Sequence, residues 1–430
     1  MPAYMVNMKA RNASCLRRFI CATSAIGVVC FFLCYSYVVF HGIVQEESQY
    51  LYASGMALSY VDVLSKTTFE RPDLLMEPPE TGYPVYASLL ETVSRWNPDD
   101  PEPPTTFKET IQRFNYSDEL ERSYAEKFRN AELPFKIYDI PNVLEVTRKW
   151  NDEYLKQKMR FVAAHVEESK TNHFMYWNGN RDRIFRKYVP PTDVITMKFD
   201  EWLEVAKKAD ETKSTNSTTH YYFMTGVGAG DNLRSYISQD LSIFSLRKNN
   251  FFVSNVAANK GIQCRFGMRG IIAEAHFDSG RNMVAMIKGA KRYILNPPHE
   301  CKKLGIISDV KHPSYRHSVI DWSDISQATS KGFDSVNAID TIVQAGEVLY
   351  IPSYWFHYIV SLQYSVQCNS RSGSPPNGEG QGEIEECLGA VRKWYYLNNS
   401  IFCLHKLLHS KTLRVTYTYL LRPYTCYHAY

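Results

Sequence analysis

The 430-residue sequence lacks an internal repeat, a Cys-x-x-Cys spacing and a strong net charge. Its formal charge of only +4 offers no argument for nucleic acid as a partner. The glycine-rich stretch 226–231 has no Gly-Lys-Ser/Thr ending, which argues against a nucleotide-binding phosphate loop. No Ser–His–Asp or Cys–His set stands out either. The whole chain is 44% hydrophobic and 22% charged, a composition typical of globular proteins.

A long apolar run near the N-terminus predicts a membrane anchor. Residues 19–44 carry no ionisable group of note except His41, and about 20 apolar residues suffice to cross a hydrocarbon core. Basic residues precede the run and acidic residues follow it: Lys9, Arg11, Arg17, Arg18, Glu46 and Glu47. The positive-inside rule then leaves residues 1–18 in the cytosol. We therefore expect a single-pass type II membrane protein of the endoplasmic reticulum or Golgi, with the rest of the chain in the lumen.

Two weaker features agree with a lumenal location. N-glycosylation sequons begin at Asn115, Asn216 and Asn398, so we expect a glycoprotein. Six cysteines lie beyond the apolar run: Cys264, Cys301, Cys368, Cys387, Cys403 and Cys426. An even number permits disulfides in an oxidising compartment, but the spacing leaves their pairing open.

Composition divides the remainder of the chain into four parts. Residues 45–105 resemble a stem, because they end in a stretch too rich in proline for a helix or a central strand. We assign residues 106–372 to the main domain. Serine, glycine and proline mark residues 373–386 as a linker, and leucine and aromatic spacing predicts a helical tail over 387–430.

The main domain reads as mainly β, with flanking helices predicted over 142–158 and 199–209. From residue 221 onward, short β-rich runs alternate with turns. The predicted strands are 221–225, 263–268, 270–277, 282–287, 292–295, 341–343, 347–351, 356–362 and 364–368. Many short strands at this spacing predict a sandwich or barrel.

The sharpest motif lies on one of these predicted strands. His276 and Asp278 stand two residues apart, so in a strand both side chains point to one face. His357 is a second candidate histidine ligand, far away in the sequence. Two histidines and one carboxylate on one face of a metal leave positions open for a 2-oxo acid and dioxygen, as in non-haem Fe(II) oxygenases. A His-x-Asp pattern alone also arises by chance, and a lone histidine is more often a core residue.

Neighbouring residues strengthen the metal-site interpretation. Asn282 and Lys291 follow the motif in a hairpin-like segment. A lysine inside a barrel needs an anion, because an unpaired buried charge is unfavourable. The distal carboxylate of 2-oxoglutarate would supply that anion, whereas an exposed strand lysine would need none.

Four segments carry a resemblance to a known family. Residues 276–298 and 346–357 resemble the JmjC-type (cupin-like) oxygenases, and within them the asparaginyl hydroxylase that inhibits hypoxia-inducible factor. Residues 149–155 and 197–201 resemble segments of that enzyme in the same order. The likeness covers roughly residues 135 to 370. It implies a double-stranded β-helix (jelly roll), with Fe(II) as cofactor and 2-oxoglutarate as co-substrate.

The resemblance also implies roles for individual residues. His276, Asp278 and His357 match the iron ligands, which are the catalytic centre. The residues that match the co-substrate pocket are Lys291, Asn282, Asn369 and Tyr222, with Tyr221 an equal candidate on sequence. Arg316 matches a substrate-contacting arginine, and its neighbour His317 replaces a glutamine that also contacts the substrate.

Two departures from the family pattern bear on this prediction. Ala273 stands where the relative has a threonine that hydrogen-bonds the co-substrate, so one bond of about 1 kcal/mol is lost. Ser370-Arg371-Ser372 replaces the aromatic residues that follow the last pocket asparagine. We therefore do not expect the same substrate as in that relative.

These observations predict an Fe(II)/2-oxoglutarate-dependent hydroxylase that acts on a protein side chain or a glycan-related lumenal molecule. The alternative is a non-catalytic cupin-like module that uses the pocket to recognise a ligand. A zinc hydrolase with the same three ligands is a third reading, but it gives Lys291 no task. The family analogy also allows a homodimer.

Overall fold

A computed structural model describes residues 62–179, 188–213, 219–229, 234–375 and 378–389. The chain forms two compact units, residues 1–67 and 68–430. In the first, the described part contains one short 3-10 turn, Asp62–Leu64. Among the described residues, no helix has the length and apolar character needed to span a membrane. The predicted membrane segment, two sequons (Asn216 and Asn398), Cys403 and Cys426 lie outside the described residues.

The second unit contains eight described α-helices and seventeen described strands. The helices are α1 (Leu89–Arg95), α2 (Glu119–Asn130), α3 (Pro141–Lys149), α4 (Asp152–Met159), α5 (Phe199–Thr212), α6 (Tyr236–Asp240), α7 (Ile325–Ser330) and α8 (Gln381–Cys387). The first strands are β1 (Thr68–Glu70), β2 (Ala87–Ser88), β3 (Thr106–Lys108), β4 (Arg113–Asn115), β5 (Phe135–Tyr138), β6 (Ala163–Ser169), β7 (His173–Phe174), β8 (Asp193–Lys198) and β9 (His220–Val227). The others are β10 (Asn259–Gly267), β11 (Ile272–Phe277), β12 (Asn282–Lys288), β13 (Ala290–Asn296), β14 (Asn337–Gln344), β15 (Val348–Ile351), β16 (Phe356–Ser361) and β17 (Ser365–Ser372).

Two sheets form the body of this unit. The larger has nine strands in the order β4-β5-β15-β12-β17-β10-β9-β6-β8, and the smaller has six in the order β2-β14-β13-β16-β11-β7. Consecutive strands often belong to different sheets, as in a jelly roll. Side chains from both sheets line one central cavity, so the sheets face each other. This mainly β, cupin-like architecture with flanking helices is the fold class that the sequence predicts.

Along the strands of the large sheet, side chains point alternately into the cavity and into an aromatic layer on the opposite face. Tyr222 of β9 lines the cavity, whereas its neighbour Phe223 points to the opposite face and contacts helix α5. The ring of Trp202 in α5 lies 5.8 Å from that of Phe223, and Phe199 lies 5.5 Å from Phe266 of β10. Because successive strand residues face opposite sides, this packing fixes which side chains enter the cavity.

Residues 68–105, which we assigned to a stem, instead fold with the domain. Strand β2 pairs with β14 of the small sheet. The guanidinium of Arg292, from β13, donates hydrogen bonds to the carbonyl oxygens of Thr92 and Trp96. This arginine is fully buried, and it also forms an ion pair with Asp340. The segment therefore satisfies a buried charge, and it is part of the fold.

The helix predicted over 142–158 is two helices, α3 and α4. The break falls at Trp150, whose indole N–H donates to Asp240 at 2.8 Å. The side chain of Asn151 then caps α4 by accepting the backbone N–H of Tyr154 at 2.9 Å. A tertiary contact and a cap thus override a continuous helical spacing.

Two disulfides tie distant parts of the chain together. Cys264 joins Cys368 across the paired strands β10 and β17, and Cys301 joins Cys387 at the end of α8. Within the predicted linker 373–386, residues from Gln381 onward are helical. The rest of the predicted helical tail, from residue 390, lies outside the described residues.

Candidate metal and co-substrate site

Two adjoining strands and one turn bring the predicted metal ligands together. His276 of β11 is the direct cross-strand partner of His357 in β16. A bulge in β11 between Ala273 and His276 shifts the register there, and such bulges re-aim side chains. One ligand atom from each histidine and from Asp278 lie within 4.8 Å of one another. This is the only such cluster among the described residues, and its size suits one metal ion.

The backbone orients both histidines in the same way. Nδ1 of His276 lies 2.7 Å from the carbonyl oxygen of Glu274, and Nδ1 of His357 lies 3.1 Å from that of Trp355. Each Nδ1–H therefore donates to a carbonyl two residues upstream, which leaves Nε2 free to bind a metal. Burial, followed by the neighbouring histidines, holds the pKa of His276 well below its usual value. Burial also lowers the pKa of His357, so both rings are neutral, as ligation requires.

Asp278 is buried between two arginines. Nη1 of Arg316 donates to Oδ1 at 2.7 Å. Nη2 of Arg371 lies 2.6 Å from Oδ2 but without the geometry of a hydrogen bond. Burial alone would raise the pKa of Asp278, yet Arg371, Arg316 and the two histidines hold it below its usual range. The ligand carboxylate is therefore ionised.

Lys291 of β13 lies fully buried beside the cavity. Its Nζ is 3.3 Å from the hydroxyl oxygen of Tyr222, and no carboxylate of the described residues forms an ion pair with it. Burial, followed by Arg265, lowers the pKa of Lys291 to about 7. Gly267 keeps the space beside the ammonium of Lys291 open, because a Cβ at position 267 would lie 3.3 Å from Nζ and 2.4 Å from Oγ of Ser361. A buried amine without an acid partner is suited to the carboxylate of a ligand.

The other residues predicted for the co-substrate pocket line a cavity of about 400 Å³. Asn369 donates from Nδ2 to Oδ1 of Asn282 at 2.8 Å, which links the two predicted asparagines across β17 and β12. Tyr222 lines the cavity and Tyr221 does not, so the structure separates two candidates that the sequence left equal. Ala273 also lines the wall, and it offers no side-chain hydrogen bond there.

The segment that carries Arg316 and His317 covers the metal ligands. The ring of His317 stacks on that of His276, with centroids 4.9 Å apart and planes 20° apart. Burial lowers the pKa of His317 to about 4, so this ring is neutral. Arg316 has a φ of 70° and Tyr354 one of 68°. Such backbone strain in non-glycine residues is common where a site must be held in place.

Arg265 and Arg371 are among the basic residues of the cavity wall that sequence reasoning missed. Both line the cavity, and each has a signal in the sequence that strand geometry makes readable. Arg371 stands two residues after Asn369 on the same strand, so the two side chains share a face. Arg265 precedes the motif on β10, where Cys264 and Phe266 take the opposite face.

The residues present fit an Fe(II) ion and 2-oxoglutarate. Two neutral histidines and an ionised carboxylate form the ligand set of a facial triad. Asp278 has a buried Oδ2 without a hydrogen-bond partner among the described residues, 4.0 Å from Nε2 of His357. Lys291, without an acid partner, lies beside the same cavity.

Comparisons with known proteins agree with the fold and the ligand set. A family model of the cupin-like domain matches residues 121–395. The chain is 23% identical to tRNA wybutosine-synthesizing protein 5 of Danio rerio over 52% of this chain and 63% of that protein. Shorter stretches are 29% identical to JmjC domain-containing protein D of Dictyostelium discoideum and 30% identical to lysine-specific demethylase JMJ30 of Arabidopsis thaliana. These cover 26% and 24% of this chain, and 25% and 23% of those proteins.

The chain thus spans just under two thirds of the length of the wybutosine-synthesizing proteins that it matches. The finer resemblance to the asparaginyl hydroxylase stays a prediction, since none of these relatives is that enzyme. JmjC-type proteins are as a class Fe(II)- and 2-oxoglutarate-dependent oxygenases, and the His–Asp–His cluster of this chain is of that type. The matched family model, the two facing sheets and the ligand cluster together show that the chain belongs to the cupin-like domain family, with a ligand set of the JmjC type.

Proposed function

We propose that this protein is an Fe(II)- and 2-oxoglutarate-dependent hydroxylase. The observation that carries the proposal is the pairing of a two-histidine, one-aspartate cluster with a fully buried lysine beside the same cavity. Iron bound there, with 2-oxoglutarate and dioxygen, supplies the oxidising power to hydroxylate a C–H bond, with succinate and CO₂ as the other products.

The residues of the chain bind and orient the reactants. His276, His357 and Asp278 would hold the metal on one face. Lys291 and the hydroxyl of Tyr222 would hold the distal carboxylate of 2-oxoglutarate, and the Asn282–Asn369 pair would contact the co-substrate between them. His317, stacked on His276, keeps that ligand ring in place and screens it from water. Binding in a cavity closed by such side chains limits unproductive reaction with solvent.

The proposed substrate is a protein side chain or a glycan-related molecule in the secretory lumen. The two disulfides support an oxidising compartment, and the apolar run at residues 19–44 supports a type II membrane anchor. The names of the relatives refer to tRNA and lysine. They do not decide between substrates for this chain.

The test is 2-oxoglutarate turnover by the full-length chain with Fe(II) and ascorbate. Slow succinate release that disappears in the variant His276→Ala/Asp278→Ala supports the proposal. Binding of Mn(II), a redox-inactive stand-in, and of 2-oxoglutarate is measured alongside, because turnover without substrate can be negligible. A chain that binds neither Mn(II) nor 2-oxoglutarate would contradict the proposal.

A second candidate is a ligand-binding module without catalysis. Arginines contact both carboxylate oxygens of Asp278, and such contacts oppose the binding of a dication. In a module of this kind, His276→Ala would leave ligand affinity unchanged. In a hydroxylase, the same substitution would remove metal binding and the part of 2-oxoglutarate affinity that chelation provides.

A further inference from the structure

The wall of the central cavity is strongly cationic. Lys260, Arg265, Arg316 and Arg371 line it, whereas Glu167 is the one carboxylate among the described residues that does so. Burial raises the pKa of Glu167 to about 7, although Arg265 opposes the shift. This group therefore offsets at most one of the four positive charges, and it does so incompletely near neutral pH.

Arg371 is only partly satisfied by its neighbours. Its Nε is buried and has no hydrogen-bond partner among the described residues, and its contact with Asp278 lacks hydrogen-bond geometry. About a third of its side chain is exposed, on the wall of the cavity. A guanidinium is suited to bind an oxyanion through two parallel N–H groups. The described residues offer Arg371 no such paired contact.

A metal at the site would compete with Arg371 for Asp278. Oδ2 lies 2.6 Å from Nη2 of Arg371 and 4.0 Å from Nε2 of His357, so the ion and the arginine draw on the same oxygen. With the ion present, Arg371 would face an added positive charge while it lost part of its counter-ion. An anion in addition to Asp278 is then needed to neutralise the charge of Arg371.

Charge balance indicates that this anion is not the co-substrate. A divalent ion with Asp278 carries one net positive charge, and Lys291 carries another. Together they match the two carboxylates of 2-oxoglutarate. Arg316 and Arg371 then remain beside the metal ligands without a counter-ion.

A second cavity leads to Arg316, one of these two arginines. It has a volume of about 280 Å³ and shares Tyr176 and Arg316 with the first. The other residues of its wall are mainly aromatic or small: Asn178, Phe277, Ser279, Pro313, Tyr315, Tyr354 and Ile384. A substrate in this second cavity would reach Arg316 without passing Lys291.

We propose that Arg371, with Arg316, holds an oxyanion of the substrate next to the metal ligands, and that Arg371 thereby selects acidic over neutral substrates. The group is a carboxylate, a phosphate or a sulfate, since all three offer the oxygens that a guanidinium binds. The inference rests on the proposed hydroxylase function and adds to it the chemical class of the substrate.

The test uses the full-length chain loaded with Mn(II) and saturating 2-oxoglutarate, so that the co-substrate site is filled. N-acetylaspartate amide and N-acetylasparagine amide are titrated calorimetrically as probes of equal shape and different charge. Inorganic phosphate and sulfate are titrated in parallel, so that the preferred oxyanion is identified. We expect at least one anion to bind roughly ten- to a hundredfold more tightly than the neutral amide.

Variants assign the preference to Arg371. Arg371→Gln should abolish it, and Arg371→Lys should retain a part, because lysine keeps the charge but not the planar fork. Lys260→Gln removes a charge from the exposed rim of the same cavity and should leave most of the preference intact. Equal binding of all probes, or a preference that survives Arg371→Gln, would overturn the inference.

Two controls separate this inference from the proposed function. The affinities for Mn(II) and 2-oxoglutarate are measured first in every variant, together with the melting temperature. Arg371→Gln should bind Mn(II) at least as tightly as the unsubstituted chain, because a competing cation has left the site. If the unsubstituted chain bound neither Mn(II) nor 2-oxoglutarate, the result would count against the hydroxylase. If it bound both but showed no preference for anions, the result would count against the role of Arg371 alone.

Discussion

At the scale of single residues, Lys291 links co-substrate affinity to pH. Burial and then Arg265 lower its pKa to about 7, and a neutral amine cannot pair with a carboxylate. We therefore expect the affinity for 2-oxoglutarate to be highest below pH 7 and to fall above it, by up to about tenfold per pH unit. Burial lowers the pKa values of the metal-binding histidines as well, which favours their neutral form. Calorimetry on the Mn(II)-loaded chain between pH 6 and pH 9 measures this.

The matched variant is Lys291→Met, which keeps most of the volume and removes the charge. It should bind 2-oxoglutarate at least tenfold more weakly and lose the pH dependence over the same range. A pH dependence that is the same in both proteins would show that another group is responsible.

The sequence predicts the metal and co-substrate residues better than it predicts their neighbours. His276 and Asp278 are readable because strand periodicity puts both on one face, and His357 and Lys291 follow from the resemblance to JmjC-type oxygenases. Arg371 shares a strand face with Asn369, but that position alone does not predict a place in the site, since an arginine on a strand is ordinarily exposed. Its role depends on the facing sheet, which places Asp278 next to it.

At the scale of secondary-structure elements, the break between α3 and α4 depends on a cap. Asn151→Ala removes the side-chain oxygen that accepts the N–H of Tyr154. We expect a loss of about 1 kcal/mol in the free energy of unfolding, without a change in Mn(II) affinity. Chemical denaturation measures it, and Asn151→Asp, which keeps an accepting oxygen, should be close to the unsubstituted protein.

The two disulfides should differ in their effect on the site. Replacing Cys301 and Cys387 by serine releases α8 and should lower stability by about 2–4 kcal/mol, while 2-oxoglutarate affinity is retained. Replacing Cys264 and Cys368 should lower both, because their neighbours Gln263, Arg265, Gln367 and Asn369 line the cavity. Denaturation and calorimetry on the two double variants test the contrast, and equal effects on affinity would contradict it.

Long strands were predictable from their sequence pattern, whereas short ones were not. All nine strands expected from residue 221 onward are present; six are one to five residues longer than predicted, and three are one or two residues shorter. Strands such as β2 and β7 contain two residues, too few to show a periodicity. They form because a neighbouring strand offers backbone partners, which is information about the tertiary fold.

At the scale of the whole molecule, residues 68–105 help to stabilise the domain. Arg292 is buried, and its partners are Asp340 and two carbonyl oxygens of the segment 89–96. Arg292→Leu leaves Asp340 buried without its ion pair, and we expect a loss of about 3–5 kcal/mol in stability. The control Arg122→Leu removes a part-exposed ion pair with Glu119 and should cost less than about 1 kcal/mol.

Truncation tests the same point without a substitution. A chain that begins at residue 106 lacks the hydrogen-bond acceptors of Arg292 and strand β2, so it should be less soluble and melt at a lower temperature than one that begins at residue 62. Equal melting temperatures would show that the segment is dispensable. Proline content led us to expect a stem here, because composition does not reveal that a segment packs against a distant buried charge.

The direct pairing of His276 with His357 makes the metal a reporter of strand register. A slip of one residue between β11 and β16 would turn one histidine to the other face of the sheet and dismantle the ligand set. The electron paramagnetic resonance signal of bound Mn(II) would therefore return during refolding only when these two strands have found their native alignment. The time course of that signal, set against the recovery of total β-structure, would show whether the centre of the barrel closes early or last.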